Sequence, residues 1–86
     1  MNTNTLEYMV AIAREKSITL AAEKLYLSQP VLSKHLRNVE QELGTPIFLR
    51  QHSGVELTDA GRIFINNAKL ILHLKTELED DLGVPL

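Results

Sequence analysis

The segment from Ser28 to Pro46 carries both a start signal and a stop signal for one helix, and this constrains the fold most. Ser28 is a good N-cap, and Pro30 in a first helical turn sacrifices no helical hydrogen bond. Gly44 is a typical helix end, and Pro46 follows it. The apolar residues between these signals recur at helical spacing: Leu32, Leu36, Val39 and Leu43. The pattern predicts a helix over about residues 29–43 with this stripe buried.

Two shorter helices are predicted before it. A capping box of Asn4 and Glu7 begins the first, over about residues 5–16. Its apolar face consists of Leu6, Met9, Val10 and Ala13. Thr19 is the candidate N-cap of a second, short helix that contains Ala21, Ala22 and Leu25. The short helix, a tight turn and the capped helix together predict a helix-turn-helix at about residues 17–37.

Two β-prone runs follow, at residues 47–49 and 55–57, with the turn-forming run Gln51-His52-Ser53-Gly54 between them. They predict a two-stranded hairpin, called the wing below, over about residues 47–57. A lone hairpin is marginal in water, so the wing must pack on the helices. The expected fold class is mainly α: a winged helix-turn-helix with three helices and a two-stranded wing, followed by a long helix.

Polar side chains follow the face of the 29–43 helix opposite its buried stripe. They are Ser33, Lys34, Arg37 and Gln41, with Pro30 on the same face and Gln29 at the edge. Lysine and arginine suit phosphate or guanine, and glutamine suits adenine. Recognition helices read bases with their N-terminal residues, so this face predicts contact with the DNA major groove.

The last helix is predicted to run from Thr58, its N-cap, to about Leu82. At about 1.5 Å per residue it is roughly 36 Å long, and its apolar residues cover an arc of roughly 220°. Burial of one face against its own domain requires an apolar arc of only about 100°, so the helix is expected to pair with a second copy. The candidate dimerisation residues are Phe64, Ala68, Ile71, Leu74 and Leu78.

Composition limits the alternatives. The net charge is −2, but residues 28–54 carry three bases and two acids, whereas residues 55–86 carry six acids and three bases. DNA affinity depends on the local face that meets phosphate, so this total does not exclude nucleic acid. There is no cysteine, and three histidines alone predict no structural metal site. No apolar run approaches a membrane span and no secretory leader is visible, which predicts a cytoplasmic location.

The sequence resembles the N-terminal region of LysR-type transcriptional regulators over residues 3 to about 80. The resemblance rests on Ser17-Ile18-Thr19, Ala21-Ala22, Leu25, Ser28-Gln29-Pro30-Val31-Leu32-Ser33, Leu36, Glu40, Leu43-Gly44, Phe48, Arg50 and Leu57-Thr58-Asp59-Ala60-Gly61. It implies a DNA-binding domain at residues 1–58, a linker helix at 59–82 that pairs antiparallel with a second subunit, and a tail at 83–86. It also implies a further effector-binding domain, which lies outside these residues, so a fragment is expected.

The resemblance further implies the residues that contact a palindromic operator in double-stranded DNA. They are Ser28, Gln29, Pro30, Ser33, Lys34, Arg37 and Arg50. Two departures from the family pattern matter: Leu20 stands where a basic residue is common, and the wing tip is not arginine-rich. No cofactor is expected, and a small-molecule effector would act only through the further domain.

A protein-interaction module on a helix-turn-helix scaffold is the main alternative, because the net charge is low and the wing is not basic. An enzyme is not expected, since the sequence holds no nucleophile elbow, no Gly-rich phosphate loop and no HExxH motif.

Overall fold

A computed structural model describes all residues, 1–86. The elements in chain order are α1 (Thr3–Glu15), α2 (Ile18–Leu25), α3 (Gln29–Leu43), β1 (Phe48–Gln51), β2 (Gly54–Leu57) and α4 (Asp59–Leu82). The two strands form one antiparallel hairpin. The predicted fold class, three helices and a two-stranded wing followed by a long helix, is therefore confirmed.

The predicted starts of α3 and α4 are confirmed, but those of α1 and α2 were placed too late. Asn2, not Asn4, caps α1, because its side chain accepts a hydrogen bond of 2.9 Å from the Thr5 N–H. Ser17, not Thr19, caps α2 and accepts one of 3.1 Å from the Leu20 N–H. In each case a capping side chain stands two residues upstream on extended backbone, so the helix begins there.

The core lies where α1 meets the other helices. Five residues of α1 are buried, and this helix packs on α2, α3, α4 and β2. From α3 the core receives Leu32, Leu36 and Val39, as predicted. Leu43 was expected to complete that stripe but is 41% exposed, because the last turn of α3 extends beyond the helices that cover the earlier turns.

The start of α4 is fixed against the entry to the wing. The Thr58 hydroxyl donates a hydrogen bond of 2.8 Å to the Pro46 carbonyl and accepts one of 2.9 Å from the Gly61 N–H. A Cβ at Gly61 would lie 2.0 Å from the Ile47 carbonyl oxygen, so only glycine permits this close approach. Farther along α4, Lys75 lies 3.9 Å from the Glu7 carboxylate on α1. None of the four helices combines the length and hydrophobicity needed to cross a bilayer.

Candidate DNA interface and dimer surface

The first turn of α3 is capped by a side chain and exposed to solvent. The Ser28 hydroxyl accepts a hydrogen bond of 3.3 Å from the Val31 N–H, and Pro30 lies in the first turn. Gln29 and Pro30 are both exposed. The positive end of the helix dipole and these side chains therefore face solvent together, an arrangement that favours an anionic partner.

The exposed face of α3 carries Lys34, Arg37 and Gln41 at one-turn spacing. Neither cation forms an ion pair with a carboxylate of the chain. Both cations are therefore free to meet phosphate or base edges without first breaking an internal contact. This is the face that the sequence predicted, with one exception.

Ser33 is that exception, because it does not share the exposed face. Ser33 is only 5% exposed, and its hydroxyl accepts a hydrogen bond of 2.8 Å from Gln29 Nε2. The helical wheel placed Ser33 on the outer face, whereas the packing of α3 rotates it toward the core. Ser33 is thus in a position to orient Gln29 and not to meet a partner directly.

Arg50 lies on β1 and is exposed, in register with Val55 on β2. Between α2, α3 and the wing there is a shallow cleft of about 340 Å³. Its lining comes from three elements: Ser17, Ile18 and Thr19, then Gln29, then Arg50 through Val55. The cleft brings Gln29 and Arg50, which are 21 residues apart in sequence, onto one concave surface.

Two contacts that sequence reasoning missed hold the wing against the helices, one at α3 and one at the end of α1. The Glu40 carboxylate accepts hydrogen bonds from the Ile47 N–H (2.7 Å) and the Phe48 N–H (3.3 Å) through the same oxygen, Oε2. The Val55 N–H donates to the Lys16 carbonyl at 3.0 Å. A single acid near the end of a helix gives no local sign of such a long-range contact. The spacing of α3 and the wing is therefore set by named contacts and not by loop length alone.

Gly54 gives the second contact its geometry. Its φ of +138° is a conformation that residues with a side chain rarely adopt, and a Cβ there would lie 2.1 Å from the Lys16 carbonyl oxygen. Glycine at a turn was part of the predicted wing, but the close approach to α1 was not. A substitution at Gly54 must displace the wing from the helices.

The α4 surface divides into two faces. Ile65 and Ala68 are buried in the chain itself, and Phe64 and Leu72 pack partly against the same core. A second row remains exposed and is called the α4 stripe below: Ile63, Leu70, Ile71, Leu74, Leu78 and Leu82.

The α4 stripe contains three of the five predicted dimerisation residues: Ile71, Leu74 and Leu78. Ala68 was also predicted there, but it is only 1% exposed in the single chain, because its side of α4 packs on the chain's own core. Phe64 is half-buried. An exposed row of this size is unusual for a small monomer and is typical of an interface.

The chain matches the family model described as "Bacterial regulatory helix-turn-helix protein, lysR family" over residues 3–62. It is 49% identical over 74 residues to the HTH-type transcriptional regulator BudR of Klebsiella aerogenes, covering 86% of the chain and 52% of that regulator. It is 42% identical over 74 residues to the regulator ClcR of Pseudomonas putida, covering 86% of the chain and 25% of that protein. The chain thus spans between a quarter and about half of these relatives.

Two solved structures share the whole arrangement. The crystal structure of a CbnR_DBD–DNA complex superposes with a TM-score of 0.90 at 34% identity, covering 96% of this chain and 95% of that one. The BenM_DBD/catB site 1 DNA complex gives a TM-score of 0.92 at 34% identity, covering 96% and 93%. Sequence and fold agree with one family, and the chain belongs to the lysR family of bacterial regulatory helix-turn-helix proteins.

Proposed function

We propose that this chain binds specific sequences in double-stranded DNA as a homodimer and thereby regulates transcription. The observation that carries the proposal is the exposed face of α3, which presents two unpaired cations on the helix whose first residue, Gln29, shares a cleft with Arg50. The CbnR_DBD and BenM_DBD structures of the same fold were solved with DNA, which supports the same partner here.

Each exposed residue has a role that follows from its chemistry. Arg37 is suited to a bidentate contact with guanine, and Gln29 to adenine. Lys34 is a compact charge suited to phosphate, and Arg50 can hold a phosphate beside the wing. The N-terminal end of α3 favours phosphate through the helix dipole, since Pro30 has no N–H and the Val31 N–H is already bonded to the Ser28 hydroxyl. In this scheme Ser33 acts through Gln29.

The homodimer would form through the α4 stripe, with the two helices antiparallel. Residues 1–58 would supply the DNA-binding domain and residues 59–82 the dimerisation helix, although the first turns of that helix also complete the core. Two-fold symmetry of the dimer requires a palindromic operator. A small-molecule effector would act through a further domain.

We assign no catalytic role to the chain, and we place its action in the bacterial cytoplasm, where the DNA is. The relatives are transcriptional regulators, which supports a binding function. No group of three or more histidine, aspartate or glutamate side chains is arranged to hold a metal ion.

Selection of bound sequences from a random duplex library tests the proposal. We expect an enriched motif of two inverted half-sites, and affinity that falls steeply as salt rises because bound phosphates release counterions. Arg37→Ala should weaken the selected motif, whereas the control Lys69→Ala, an exposed cation on α4, should not. An absence of enriched sequence, or affinity that does not change with salt, would favour a protein-interaction module instead.

A further inference from the structure

Asn67 is the one polar side chain within the α4 stripe between Ile63 and Leu78. With about 100° per residue on a helical wheel, the stripe spans roughly 120° and Asn67 lies near its middle. The carboxamide Nδ2 donates a hydrogen bond of 2.9 Å to the Ile63 carbonyl. Its Oδ1 accepts no hydrogen bond from the chain. When the stripe is covered, this oxygen must find a donor or lose its hydration uncompensated.

Apolar matching alone does not choose how two antiparallel copies of α4 align. In a two-fold dimer, each residue faces one at a mirrored position on the second copy. Of the alignments that place Asn67 opposite a residue of the stripe, two match two apolar pairs each, and they lie one helical turn apart. The first pairs Ile63 with the partner's Leu78 and Leu70 with the partner's Ile71, and the second pairs Ile63 with the partner's Leu82 and Ile71 with the partner's Leu74.

The two alignments differ in what faces Asn67. In the first, Asn67 lies opposite the partner's Leu74, next to Lys75, whose ammonium group lies 3.9 Å from Glu7 of its own chain and keeps further N–H groups to donate. In the second it lies opposite Leu78, which is flanked by Glu77 and Glu79, and carboxylates only accept. The residues that flank the facing position therefore offer the Asn67 oxygen a charged donor in the first alignment and only carboxylates in the second.

We infer that Asn67 fixes the first alignment of α4 with a second copy, and thereby the spacing of the two half-sites. The inference rests on the proposed homodimer and goes beyond it, because it names the residue that sets the register. An asparagine within an apolar helix interface fixes register in this way at a cost in stability. Replacing Asn67 by leucine should therefore give a tighter dimer with a less defined alignment.

Distance measurement between spin labels tests the alignment. The chain has no cysteine, so Asp80→Cys gives one labelling site per chain, and Asp80 is exposed and lies off the stripe. From the rise of about 1.5 Å per residue, the two labels should be separated along the helix axis by about 28 Å in the first alignment and about 22 Å in the second. The parent chain should show a single separation, the longer one.

Asn67→Leu should tighten the dimer at least tenfold and give two separations, and it should also bind operators with altered half-site spacing. Asn66→Leu is the matched control, since Asn66 is exposed but lies off the stripe, and it should leave the single separation unchanged. A parent that sediments as a monomer overturns the homodimer, and this inference with it. A dimeric parent with the shorter separation, or a dimeric Asn67→Leu variant that keeps one separation, overturns the role of Asn67 alone.

Discussion

Gln29 Nε2 donates a hydrogen bond of 2.8 Å to the hydroxyl of Ser33, so a buried residue of α3 orients an exposed one. Ser33→Ala should therefore reduce the preference for the base that Gln29 reads, with little loss of thermal stability. Competition between operators that differ at that base measures the effect. In a Gln29→Ala background the same change should have no further effect, and an equal loss there would show that Ser33 acts independently of Gln29.

Replacing Arg37 by alanine and replacing Lys34 by alanine should have different effects on DNA binding. Arg37→Ala should cost about 1–3 kcal/mol of operator binding and relax specificity at one position, because a bidentate base contact is lost. Lys34→Ala should weaken binding to all duplexes alike and lower the slope of log affinity against log salt by about 1, because one phosphate contact is lost. Titrations of operator and random duplex at several salt concentrations separate the two. If Arg37→Ala weakens both duplexes equally, Arg37 contacts the backbone only.

Ser28→Ala removes the partner of the Val31 N–H and should cost about 1 kcal/mol of unfolding free energy. For a domain of this size that is a fall in Tm of about 4–8 °C. Operator affinity should fall as well, since the cap orients the end of α3 that meets DNA. Ser53→Ala in the wing turn is the control for the stability measurement, because the Ser53 hydroxyl is exposed and makes no hydrogen bond within the chain. Equal melting curves for the parent and Ser28→Ala would contradict the cap's role.

The wing tip should add affinity with little specificity. Replacing Gln51, His52 and Ser53 together by alanine should lower binding modestly and equally across sequences, because none of these side chains is a fixed cation. Selection from a random library with the triple variant measures this. Loss of preference at particular A·T-rich positions would show that the tip reads the minor groove.

Leu74→Ala with Leu78→Ala should convert the dimer to a monomer at micromolar concentration. In the single chain these side chains are 62% and 48% exposed, so they should be buried only when two chains pair. Leucine to alanine at a buried site costs roughly 2–5 kcal/mol, and symmetry doubles the cost. Val84→Ala with Leu86→Ala, also exposed, is the control. Sedimentation decides between the two outcomes, and a double variant that stays dimeric would place the interface elsewhere.

The elements that could be predicted from the sequence are those whose signals are local. The caps at Ser28 and Thr58 each bond an N–H three residues ahead, so serine or threonine before an apolar helical pattern was enough to find them. The starts of α1 and α2 were missed by two residues, because Asn2 and Ser17 compete with similar side chains nearby and only the backbone conformation decides.

The parts of the site that could not be predicted depend on which neighbours pack on each side of a helix. The helical wheel shows that Ala68 and Leu74 are both apolar, but it does not show that α1 covers one and leaves the other exposed. Ser33 was misplaced for the same reason, since the rotation of α3 is set by its contacts with α1 and α2. The Glu40 contact joins residues whose pairing depends on the path of the chain after Gly44.

The hydrogen bonds of the Glu40 carboxylate determine how α3 and the wing, the two parts of the DNA interface, move together. One carboxylate oxygen holds Ile47 and Phe48, at the entry to β1, to the last turns of α3, so the helix and the wing behave as a single rigid body at this point. When α3 enters a major groove, the wing must therefore meet the backbone at a set distance and angle. A duplex that bends readily at that place would satisfy both contacts, whereas a stiff duplex with the same contacted bases would satisfy only one. Binding by this chain should thus depend on the flexibility of base steps that no side chain touches.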